Sequence, residues 1–243
     1  GYSPRGELFD VCLAAGLETI TWNAAHKNNQ LMLKRYSRAN RDVHPASLSV
    51  RTWHDLQAQP WTHAERERLR RELVGSYLSG EWYGEVGTQF HTTLQEAAEI
   101  RRALDLDDRK KTAVIFSHIF WDGTFFYGTD LFGSYEEWFV ETMKVACANP
   151  HLNWIVKIHP ANIVKNVRDG VGSEPSELTA IRSLGETLPA HVRVVQPDSR
   201  MSTLSLYSVM DYCVTVRGTV GIEAACFGIP VLTAGTGRYD RLG

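Results

Sequence analysis

The chain has 243 residues, enough for one large domain or two small ones. Its apolar share of 43% and charged share of 22% are those of an ordinary soluble globular protein, and no apolar run approaches the roughly 20 residues of a membrane span. A formal net charge of −2 argues against a broadly basic surface, so nucleic acid is not among the expected partners.

The opening "GYSPRGELFD" has neither the basic lead nor the apolar core of a signal peptide. Cys12, Cys147, Cys213 and Cys226 lie far apart in apolar contexts, without a CxxC pair, and read as reduced core thiols of a cytosolic protein. The chain begins as though inside a fold and ends, at "GRYDRLG", after a strand and loop with no closing helix, which reads as a fragment or trimmed ends.

Residues 9–22, "FDVCLAAGLETITW", predict a short helix ending near Gly16 and then a strand. Residues 23–60 read as polar and irregular. "THAERERLRRELVGSYL" from Thr62 to Leu78 predicts a charged amphipathic helix, "TTLQEAAEIRRALDL" at 92–106 a second one, and "DDRKK" a hinge or linker. Beyond it strands and helices alternate. The strands fall at 112–119, 153–160, 191–197, 211–216 and 229–235, and the helices at 134–149, 176–188, 202–210 and 219–227. Short apolar strands alternating with helices predict an α/β fold with a Rossmann-like, doubly wound parallel sheet. The chain thus divides into a partial N-terminal domain at 1–60, a helical interdomain segment at 61–110 and the Rossmann-like domain at 111–243.

In such sheets ligands sit beyond the carboxyl ends of the strands. Four segments put unusual residues there: "SHIFWDG", "KIHPAN", "PDSRMST" and "VRGTVG". In the last, Arg217, Gly218 and Thr219 precede a helix whose free N–H groups face an incoming anion, and Gly218 and Gly221 leave room for a phosphate. Thr219 reads equally as an N-cap, whereas Glu223 comes one residue too late for a capping box. Glu223 could accept hydrogen bonds from a diol such as a ribose.

His159, at a strand end before Pro160, is placed to donate to a phosphate oxygen or to serve the fold alone, and Lys157 adds positive charge nearby. Ser202 and Thr203, at a helix start, read as caps or as phosphate donors. His118 and Asp122 are polar groups in an aromatic loop and are the candidates for proton transfer or for orienting a sugar hydroxyl. Trp121, Phe125, Phe126 and Tyr127 could pack on sugar faces or fill core. There is no HExxH, no DxD and no Cys/His cluster, so no metal or other cofactor is expected.

The segment "STLSLYSVMDYCVTVRGTVGIEAACFGIPVLTAG", with "VKIHP" upstream, resembles the donor half of GT-B glycosyltransferases, and among them the bacterial capsule-polysaccharide biosynthesis transferases. The resemblance covers about residues 106–240 and is weaker over 1–105. It implies that His159 and Pro160, with Arg217, Gly218 and Thr219, hold the nucleotide phosphate, and that Glu223 meets the nucleoside sugar. Thr215 stands where many retaining relatives carry a second glutamate, which favours the His-Pro class. It further implies a CMP- or UDP-linked sugar donor, a glycan or lipid-linked acceptor, and a cytoplasmic setting at the inner face of the membrane through a larger assembly. The general base of inverting relatives usually comes from the N-terminal domain. A nucleotide-sugar 2-epimerase and a truncated, non-catalytic nucleotide- or glycan-binding module are the alternatives.

Overall fold

A computed structural model describes residues 6–25, 30–79, 93–120, 130–161, 163, 174–185 and 187–239. The first elements are helix α1 (Glu7–Ala14) and an antiparallel hairpin of β1 (Thr19–Ala24) and β2 (Leu31–Tyr36). Gly16, at φ 72°, closes α1 in the left-handed region that glycine enters without penalty. Phe9 and Leu13 of α1 bury against Tyr36, with the Phe9 and Tyr36 rings edge to face at 5.0 Å.

The stretch expected to be irregular also holds β2 and a helix α2 (Val50–Gln57), capped where the Ser49 hydroxyl accepts the Thr52 N–H at 3.0 Å. Val50, Trp53 and Leu56 form an apolar stripe at i, i+3 and i+6, but none of the residues of α2 is buried. Helix α3 (His63–Ser79) falls where its pattern predicts, while α4 (Ala97–Ala103) is shorter than expected at both ends: it starts at a capping box of Glu96 and Glu99, and Asp105 turns left-handed at φ 49° beyond its end.

Five strands make the main sheet: β3 (Thr112–Phe116), β4 (Asn153–Lys157), β5 (Val192–Val195), β6 (Tyr212–Thr215) and β7 (Val231–Thr233). Their order is β5-β4-β3-β6-β7, and every pairing is parallel. The connecting helices are α5 (Tyr135–Ala148), α6 (Ser176–Ser183), α7 (Thr203–Leu206) and α8 (Val220–Cys226). Side chains alternate along each strand. Ala113, Ile115, Val156 and Val214 pack under α5 and α6, while Val114, Ile155 and Cys213 pack under α4, α7 and α8 together with Tyr77 of α3. Both faces are therefore covered, which is why the strands read as continuous apolar runs.

The segment expected to act as a hinge is fastened to this sheet. Asn153 accepts the Asp107 N–H at 3.0 Å and donates to the Asp107 carbonyl at 2.9 Å, and the Asp211 carboxylate accepts from Lys111 at 2.7 Å and from the Thr112 N–H at 2.9 Å. Among the described residues no helix is long and apolar enough to cross a membrane.

From β3 the chain steps outward to β4 and β5, then returns to place β6 on the other side of β3. That reversal opens a crevice at the carboxyl ends of β3 and β6, the place where doubly wound sheets hold ligands.

Candidate functional site

Three strand tips are joined at this crevice by the dipeptide Ser117-His118. Ser117 is buried; its N–H donates to the Lys157 carbonyl at 3.2 Å, and its hydroxyl accepts the His159 N–H at 3.2 Å. His118 reaches the other way, to the tip of β6. His159 and the turn before α8 thus share one rim, as the sequence leads one to expect.

On the β4 side, Lys157 is buried and donates to the Met201 carbonyl at 3.0 Å. Burial lowers its pKa to about 8, because an ammonium in apolar surroundings loses hydration. The Nδ1 of His159 accepts the Ala161 N–H at 3.1 Å, so the ring proton resides on Nε2, which becomes a donor. Burial, with Lys157 nearby, lowers the His159 pKa to about 4. At neutral pH this imidazole is uncharged, while Lys157 supplies the positive charge. Pro160 follows in the turn. Ser202, for which two roles were open, caps α7: its Oγ accepts the Ser205 N–H at 3.1 Å, and Thr203 beside it is buried.

The β6–α8 turn differs from the expectation. A Cβ on Gly218 would lie 3.0 Å from Thr215 Oγ1 and 3.6 Å from His118 Cε1, and a Cβ on Gly221 would strike the Tyr239 phenol. The Tyr239 hydroxyl donates to the Gly218 carbonyl at 3.0 Å. Side chains of the protein therefore occupy the space the two glycines were expected to leave for a phosphate. Arg217 forms an ion pair with Asp130, the two side chains being 8% and 18% exposed, so the guanidinium is directed at a carboxylate of this chain. Thr219 is already helical (φ −55°, ψ −29°) and makes no side-chain cap; its hydroxyl bonds to Glu223.

Glu223 is buried, and its Oε2 accepts from the Tyr207 hydroxyl at 2.9 Å and from the Tyr77 hydroxyl. Burial raises its pKa despite these bonds. The acceptor expected to meet a ribose is thus engaged by two phenols, one from α3 and one following α7. His118 shows a similar departure. Its Nε2 accepts the amides of Val216 and Arg217, at 3.0 and 3.2 Å, an engagement that does not fit proton transfer at that nitrogen. Asp122, Trp121, Phe125, Phe126 and Tyr127 lie outside the described residues.

Sequence reading missed Ser117, Tyr77, Tyr207, Asp130 and Tyr239. A serine directly after a buried strand, beside a histidine, is a signal that could have found the first. The others act across long sequence separations and leave no local pattern.

No family model and no curated protein sequence matches this chain. Solved structures do, twelve chains among them. One is Thermosulfurimonas dismutans KpsC, described as a beta Kdo 2,4 transferase: TM-score 0.50 at 12% identity, over 96% of this chain and 66% of that one. The chain shares the GT-B-type fold of that transferase. A second KpsC structure, described as a beta Kdo 2,7 transferase, matches with TM-score 0.44 and 15% identity, over 98% of this chain and 72% of its own. The rim formed by Ser117, His118, Lys157 and His159 runs along the carboxyl ends of β3 and β4, beside the β3–β6 switch point of the sheet.

Proposed function

We propose that the chain carries the donor-binding part of a glycosyltransferase that adds a sugar from a CMP- or UDP-linked donor to a growing bacterial surface polysaccharide. The observation that carries this reading is the junction of the β3, β4 and β6 tips beside the switch point, with a buried ammonium and an imidazole Nε2–H at the end of β4. The likeness in fold to a Kdo transferase supports it. The acceptor hydroxyl oxygen bonds to the anomeric carbon, and the carbon–oxygen bond to the phosphate breaks. The nucleotide then leaves with the bonding pair, while the hydroxyl proton passes to a base. His159 and Lys157 meet the charge that develops on the leaving phosphate, without a divalent ion. The reaction takes place in the cytoplasm, at the inner face of the membrane, on a glycan or lipid-linked acceptor.

Calorimetric titration with CMP, UDP and CDP tests this: CMP or UDP binds, and binding weakens in His159→Ala. Absence of binding to both CMP and UDP would overturn it. Incubating a nucleotide sugar without acceptor separates the rival epimerase, which converts the donor sugar where a transferase at most hydrolyses it.

A pH dependence follows from Lys157. Its pKa of about 8 means that a bound phosphate must hold a proton on the ammonium that free protein above pH 8 has lost. Nucleotide affinity should therefore fall as pH rises past about 8, by up to about tenfold per unit, the limit for one linked proton. In Lys157→Met the slope should vanish. An identical slope in that variant would remove Lys157 from the phosphate site.

A further inference from the structure

We infer that His118 is a positioning residue, a tautomer-locked imidazole that clamps the β6–α8 turn across the crevice and neither gives nor takes a proton in the reaction. A nitrogen that accepts two N–H groups carries no hydrogen, so the ring proton resides on Nδ1. The same Nε2 lies 2.9 Å from Thr215 Oγ1, which in turn accepts the Gly218 N–H at 3.3 Å. Three consecutive amides, those of residues 216, 217 and 218, thus end on acceptors within the protein. Protonating Nε2 would set a donor against two donors and break the turn.

The ring itself is held hard. It stacks on Tyr135 with centroids 4.6 Å apart and 13° between planes, and meets the edge of Trp138 at 5.8 Å. Its backbone sits at φ 59°, a conformation uncommon outside glycine that persists where the surroundings demand it. Burial above all, and then the neighbouring His159 and Arg217, oppose a positive charge on the ring and lower its pKa to about 3.

The consequence for ligand reading is a division of labour. The amides of this turn do not face an incoming phosphate. The anion falls instead to side chains of the β4 tip, Lys157 and His159, and His118 acts by fixing the opposite wall. The effect on turnover rests on the transferase reading above, whereas the protonation state of the ring does not.

Nitrogen-15 spectra of the histidine-labelled protein, with the His118 signal assigned by its loss in His118→Gln, test the clamp without substrate. The expected result is an Nδ1–H neutral ring from pH 5 to 9, unchanged by CMP or UDP. A titration within that range, or a change of tautomer when nucleotide binds, would overturn the inference. Kinetics supply the second arm. The Gln side-chain oxygen can take the place of Nε2 and accept the same amides, so His118→Gln should restore most of the donor KM that His118→Phe loses. A general acid or base would behave oppositely: kcat of His118→Gln would drop by about 10²–10⁴-fold at unchanged donor KM. Where His118→Phe fails to fold, the spectra and the Gln variant still decide.

Discussion

His159→Ala should lower turnover by at least ~10²-fold while the protein stays folded, the scale of losing one donor aimed at developing charge. The expectation rests on the ring's tautomer. The Ala161 N–H on Nδ1 fixes the proton on Nε2, so the side chain is oriented before any ligand arrives. His159→Asn offers the sharper control, since its Oδ1 can keep the bond to Ala161 while the Nε2 donor is gone. Both variants should lose turnover alike, and their melting temperatures should stay close to that of the parent. If the Asn variant turned over normally, the imidazole would serve only the shape of the His-Pro turn.

Glu223→Ala should cost about 1–3 kcal/mol of stability. It removes the shared acceptor of two buried phenols whose hydroxyls lie 3.2 Å apart, so one can donate to the other and one donor is left unsatisfied. For a chain of this size each kcal/mol moves Tm by roughly 2–4 °C, so a fall of roughly 5 °C in a thermal melt is expected. Glu223→Gln keeps an acceptor and should lose less. It should also change the pH dependence in a defined sense. The carboxyl pKa is raised in the folded state, so its contribution is complete below the unfolded value near 4.5 and is lost as pH climbs through the folded value. The Gln variant should lack that decline. If Glu223→Ala melted like the parent but no longer distinguished ribonucleotides from deoxyribonucleotides, the carboxylate would belong to the ligand and the phenols would be incidental.

The two halves of the chain were unequally legible. Strands β3 to β7 declared themselves because a parallel sheet covered on both faces needs uninterrupted apolar runs, as in "TAVIF" and "NWIVK". The hairpin strand β2 and helix α2 did not: in β2 the apolar Leu31 and Leu33 are the exposed positions while Lys34 shares the half-buried face, and in α2 a short apolar stripe sits among polar residues. The turns at the strand tips were legible too, because a histidine before proline or a glycine before a helix is a local signal.

What those tips do was not legible. A free helix start and two glycines predict an anion cradle, but whether amides face a ligand or a neighbouring ring depends on which residues lie opposite. His118 and Thr215 are 97 positions apart, and Tyr77 and Glu223 are 146 apart. The sequence by itself determined the alternation of strands and helices, and hence the edge of the sheet where polar side chains collect, because backbone pairing and apolar periodicity are local properties. Only the tertiary structure decided that His118 takes the amides of the β6–α8 turn, that Glu223 faces two tyrosines and that Lys157 donates to the Met201 carbonyl. Hydrogen-bond partners are chosen by proximity in space, which the chain acquires only once distant strands lie side by side.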